Sequence, residues 1–157
     1  MADRTDDPFD LARFVRAQAP VYDQALAELR AGSKRSHWMW FVFPQVAGLG
    51  TSAMAQEFAI GNLDEARAYL AHPTLGPRLT ECAAALIAVE GRSARAILGS
   101  PDDMKLRSSA TLFAAVSGAG SVFHRILQRY YEGTADERTL ALLHPDERAG
   151  GNRAHER

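Results

Sequence analysis

The chain has a single cysteine, Cys82, among its 157 residues. No internal disulfide can form, a zinc site built from several cysteines is excluded, and no bound metal or cofactor is expected. A reducing cytoplasm is the default compartment. Lysine is almost as scarce: Lys34 and Lys105 stand against 16 arginines. We read this skew as arginine replacing lysine wherever a planar fork serves, leaving lysine where a compact ammonium is needed. No apolar run approaches the roughly 20 residues of a membrane span. The opening Met1 to Asp7 is polar and acidic, and reads as neither a signal nor a transit peptide. Neither charge sign dominates. The net charge of -1 argues against general binding of nucleic acid or of an acidic membrane. Alternating strand patterns and solenoid-length repeats are missing as well.

What is present is helical punctuation. A length of 157 residues suits one domain burying roughly 68–70% of its unfolded surface. Asp7-Pro8-Phe9-Asp10 offers a cap, a proline and an acid before Leu11, Phe14 and Val15. Ala19-Pro20 breaks that helix, and Val21, Tyr22, Ala25, Leu26 and Leu29 stripe the next up to Gly32. Ser52, Asn62, Thr74, Ser100 and Asp136 each precede a helical pattern as an expected cap, Ser93 to Leu98 reads as one or two turns ending at Gly99, and Ser121 to Tyr131 is amphipathic. The fold class expected is all-α: a single multihelical bundle of about nine helices, spanning residues 7–143. Residues 1–6 are expected to be a flexible N-terminus and 144–157 a disordered tail.

The segment Lys34 to Gln45, Lys-Arg-Ser-His-Trp-Met-Trp-Phe-Val-Phe-Pro-Gln, holds both tryptophans. Its six consecutive apolar residues, Trp38 to Phe43, cannot lie on a surface without a large exposed patch. A short buried helix ended by Pro44 is expected, with a charged entrance before it. On Asp102 to Val116, a wheel of roughly 100° per residue puts Lys105 and Ser109 on the same face as Leu106, Leu112, Phe113 and Val116. A buried ammonium must pair, reach the rim, or meet an anion. His37 sits about one turn from Lys34 and Phe41, beside the tryptophans; a hydrogen-bonded core histidine is its ordinary reading. Arg78 opens a helix whose first turn lacks acids, and either binds an anion or makes a surface ion pair. Gly48-Leu49-Gly50-Thr51-Ser52-Ala53 matches G-x-G-x-x-A, but Pro44 to Ala47 separates it from the apolar run and the rest of the chain is helical. A turn into a capped helix fits better than a dinucleotide site.

Phe14-Val15-Arg16-Ala17-Gln18, Lys34 through Gln45, Gly48-Leu49-Gly50, Glu65 through Leu70, His72 through Leu79 and Asp103 through Phe113 occur in order. Together they resemble the bacterial domain-of-unknown-function family eighteen-ten, over about Asp7 to Leu143. The resemblance implies an all-α multihelical fold and no activity, so it supplies no catalytic residues. A "possible calpastatin" label attached to mycobacterial members does not suit this chain. An inhibitor of that name is disordered, repetitive and rich in proline and lysine, whereas this chain carries a dense apolar core and two lysines.

The functional expectation is a pocket for a small anionic, nucleotide-like ligand. Trp38 and Trp40 would stack, Lys34, Arg78 and Lys105 would supply charge, and His37, Gln45 and Ser109 would hydrogen-bond. Convergence of the three cations is its structural test. Chemistry on a nucleotide-type N-glycosidic bond is suggested only by a loose similarity to helical ADP-ribose-processing proteins, which is analogy. The alternative is a protein–protein adaptor without catalytic activity, presenting Trp38 or Trp40 at an interface.

Overall fold

The structure is a computed structural model that describes residues 7–145. The expected flexible N-terminus, 1–6, lies outside the described residues, as does all of the expected tail beyond residue 145. Ten helices, rather than about nine, make up the described residues: α1 Ala12–Gln18, α2 Tyr22–Arg30, α3 Met39–Val42, α4 Ala53–Glu57, α5 Leu63–Ala71, α6 Leu75–Ala88, α7 Ala94–Leu98, α8 Asp102–Ala114, α9 Val122–Tyr131 and α10 Glu137–Leu143. Extended pairing among them is limited to one parallel bridge between Val46 and Ile60. None of the described helices is long and apolar enough to cross a membrane.

Local chemistry sets most boundaries. The side chains of Ser52, Asn62, Ser93, Ser121 and Asp136 each accept a backbone N–H three residues on, the bond that satisfies an orphan donor at a helix start. Asp7 acts at longer range, accepting from Leu11 N at 2.7 Å and Ala12 N at 3.0 Å. Two expected caps do not form. Thr74 makes no capping bond, because Pro77, three residues on, has no N–H to give it and Gly76 N donates instead to His72 O at 3.0 Å; His72 Nδ1 takes the N–H groups of Thr74 and Leu75 at 3.0 and 3.2 Å. Ser100 is displaced because α8 starts at Asp102, one residue later than its pattern requires, with Pro101 at the cap position.

α8 forms the axis of the bundle. Its residues Ser108 to Ala114 are all buried, and it packs against α5, α7, α9 and α10. A run of aromatic rings crosses the core from Phe58 through Phe14, Tyr69 and Phe113 to Phe123, with neighbouring centroids 5.1–5.7 Å apart, inside the range of favourable edge and tilted contacts. Gln18 is buried beside this run, and its amide donates to Phe41 O at 2.6 Å and to the Tyr69 hydroxyl at 3.0 Å. α5 and α6 meet so closely that a Cβ on Gly76 would lie 2.1 Å from Leu70 O. No other residue fits there without moving one helix.

The apolar run forms the expected short helix. Met39, Phe41 and Val42 of α3 are buried, as are Trp38 and Phe43 at its ends. Trp40 alone turns partly outward. Beyond Pro44 the chain is fixed by the bridge, in which Ile60 N donates to Gln45 O at 2.9 Å and Ala47 N to Ile60 O at 2.8 Å. Trp40 and Gln45 thereby come to one wall, facing the start of α8.

Candidate functional site

That wall borders a cleft of about 510 Å³, within the usual range for small-molecule sites. Trp40, Leu49 and Met104 give it apolar surface; Gln45, Lys105 and Arg138 give it polar and charged surface. Met104 is 49% exposed, so the bundle's core does not account for it. A second groove of about 580 Å³ runs past Phe9, Val15 and Ala68. It is mostly apolar, with Asp7, Arg16 and His72 among its lining residues, and no pair of lysine or arginine side chains converges on it.

The two lysines meet at Asp102. Lys34 Nζ lies 2.9 Å from Oδ2, and Lys105 Nζ lies 3.3 Å from Oδ1. Each ammonium also stands over an indole: Lys34 is 5.1 Å from the Trp38 ring and Lys105 is 4.5 Å from the Trp40 ring, both within cation–π range. The pairs differ in depth. The Lys34 side chain is 8% exposed, that of Lys105 22%. Lys34 is therefore the inner, structural partner of Asp102, and Lys105 the outer one at the cleft.

Behind Lys34 lies Glu28, buried on the apolar face of α2. Its Oε1 accepts from Arg35 N at 2.8 Å, Ser36 N at 3.1 Å and Trp38 Nε1 at 2.9 Å. Its Oε2 accepts from Ser36 Oγ at 2.7 Å and Gln24 Nε2 at 3.0 Å. Burial pushes this carboxyl up, but the donors of Arg35, Ser36 and Trp38 together outweigh it and hold the group at about 2. Glu28 thus shapes the 34–38 turn and fixes the buried indole on which Lys34 rests.

The eight residues expected to form one pocket do not assemble as one. Trp40, Gln45 and Lys105 line the cleft. Lys34 and Trp38 stand behind it, Trp38 being fully buried and so unable to serve at an interface. His37 is exposed rather than a core residue. Ser109 is buried one turn beyond Lys105, and its hydroxyl has no hydrogen-bond partner among the described residues. Arg78 belongs elsewhere: its guanidinium lies 4.9 Å from the Tyr22 ring and donates to Gln18 Oε1 at 3.4 Å. The expected convergence of three cations therefore holds for Lys34 and Lys105 and fails for Arg78. An amphipathic wheel gives the face of a helix but not the element packed against it.

Two residues of the site escaped the sequence reading, and each carried a signal. Glu28 interrupts the stripe of Ala25, Leu26 and Leu29, as Lys105 interrupts its own. Arg138 is a cation in the first turn of α10, where the helix dipole disfavours positive charge. Among the described residues, no group of three or more histidine, cysteine or acidic side chains is placed to hold a metal ion.

An all-α bundle built on this aromatic helix and an α8 of this composition defines a family. The match to the family described as protein of unknown function DUF1810 runs over residues 8–143, and the chain belongs to it. Among solved structures it is similar to the conserved hypothetical protein Rv1873 from Mycobacterium tuberculosis, at 58% identity and a TM-score of 0.86. The match covers 87% of this chain and 98% of that one. No curated protein matches the chain.

Proposed function

We propose that the chain binds a small anionic, ring-bearing ligand of nucleotide type in the cleft between Trp40 and Lys105. One observation carries the reading: an ammonium is held over a partly exposed indole at the mouth of a roomy cleft, by a carboxylate it shares with a second lysine. Trp40 and the neighbouring Met104 and Leu49 offer surface for a flat ring. Lys105 offers charge, and the Gln45 amide both donates and accepts. Retention in the cytoplasm belongs to the same reading, supported by a lone, buried cysteine.

The test is a thermal-shift screen of the full chain and of Lys105→Met against nucleotides, ADP-ribose-type compounds, sugar phosphates and small carboxylic acids. Lys34 keeps Asp102 paired in that variant, so it is expected to fold and to melt near the wild type. A compound that raises the melting point of wild type and not of Lys105→Met supports the reading. Equal shifts in both proteins, or none across the panel, overturn it.

A further inference from the structure

We propose that the anionic group of the ligand is a phosphate, bridging Lys105 and Arg138, and that the ligand is a phosphorylated nucleoside-type compound. The proposal rests on the ligand reading above and specifies its chemistry.

Arg138 lines the same cleft as Lys105, and among the described residues its guanidinium has no hydrogen bond or ion pair. Its position in the first turn of α10 gives it no support from the helix dipole. The acid beside it, Asp136, is already engaged: its Oδ2 accepts from Thr139 N at 2.9 Å and Thr139 Oγ1 at 2.6 Å. α10 itself is tied to α8, since Asp136 N donates to Thr111 Oγ1 at 2.8 Å and Arg107 Nε to Thr134 O at 3.0 Å. Among the described residues, Arg138 is thus a cation without a carboxylate partner, on an anchored element.

Lys105 is a releasable cation. Turning toward the cleft, it gives up a 3.3 Å contact with Asp102, while Lys34 keeps the other oxygen at 2.9 Å, so no buried carboxylate is left alone. A carboxylate ligand would give Lys105 only what Asp102 already gives it. A phosphate monoester carries close to two negative charges and three acceptor oxygens. It outcompetes a single carboxylate oxygen and has acceptors left for the Arg138 fork. The flat, apolar surface of Trp40 then takes the ring to which the phosphate is joined.

The experiment is calorimetric titration of the full chain with adenosine monophosphate, adenosine, indole-3-acetate and inorganic phosphate, repeated on Arg138→Gln. Arg138 is exposed, so the variant should fold. The monophosphate is expected to bind at least about tenfold tighter than adenosine or indole-3-acetate, and Arg138→Gln to lose about tenfold or more for the monophosphate alone. If the three ring compounds bind alike and Arg138→Gln changes none of them, the phosphate assignment falls and the cleft reading stands. If inorganic phosphate binds as tightly as the monophosphate, the ring half of the proposal falls. If nothing binds, both readings fall together.

Discussion

Replacing Glu28 with glutamine tests whether one buried carboxylate organises the site. The amide keeps the volume and one acceptor oxygen. The Ser36 hydroxyl can rotate and the Gln24 amide can flip to meet its NH2 group. The main loss is charge. Glu28 is held at about 2 instead of 4.5, which corresponds to at most about 3 kcal/mol of stability at neutral pH. The folded value lies below the unfolded one, so this stability is complete above about pH 4.5 and is lost as pH falls through about 2. At pH 3 about 1.4 kcal/mol of it should remain. Urea unfolding of wild type and Glu28→Gln at pH 7 and pH 3 reads the difference directly, because acid effects at other carboxylates are common to both proteins. A gap of about 3 kcal/mol that shrinks by roughly half at pH 3 is expected. A gap under about 1 kcal/mol at pH 7, or one unchanged at pH 3, refutes the reasoning.

Asp102→Asn is expected to cost about 3 kcal/mol in denaturant unfolding, because it strips the buried Lys34 ammonium of its carboxylate; Lys34→Met should cost less, since Lys105 stays on Asp102. Equal losses would contradict the assignment of Lys34 as the inner partner. Gly76→Ala should destabilise by about 3 kcal/mol or more, or prevent folding, because its Cβ meets Leu70 O at 2.1 Å; a near-neutral melting curve would show that α5 and α6 can part freely. The Cys82 thiol, pushed by burial up to about 12, should resist maleimide at pH 8 in the folded protein and react once urea unfolds it. Fast native labelling would refute its burial.

The fold was legible because its signals are local. Ser52, Asn62 and Asp136, each expected as a cap, close helix starts through bonds that reach only three residues, and the Trp38–Phe43 run is too apolar for any place but the interior. Thr74 failed for a reason the sequence carries, since Pro77, three residues on, has no N–H to give it. The site was half legible for the opposite reason. Lys105 broke the apolar face of its own helix, and Trp40 and Gln45 could be marked as parts of the Lys34–Gln45 segment. Their meeting depends on how α3 and α8 pack, and so did the separation of Arg78, which α6 carries to the Tyr22 side of the bundle. Glu28 was readable in principle as an acid within an apolar stripe, but four of its five donors lie in a turn whose path the sequence does not set.

The scarcity of lysine gains a physical reading from this geometry. Asp102 serves two cations at once, one oxygen each. An ammonium suits that division, being a compact charge that can meet one oxygen while lying over an indole. A guanidinium prefers to take both carboxylate oxygens through its planar fork. In place of Lys34 it would claim Asp102 whole and displace Lys105 from its contact. In place of Lys105 it would compete with the buried Lys34 for the carboxylate. In a chain that otherwise uses arginine for its basic residues, lysine stands at the two positions where sharing one carboxylate requires a point charge. That sharing is also what leaves Lys105 free to exchange Asp102 for an incoming anion.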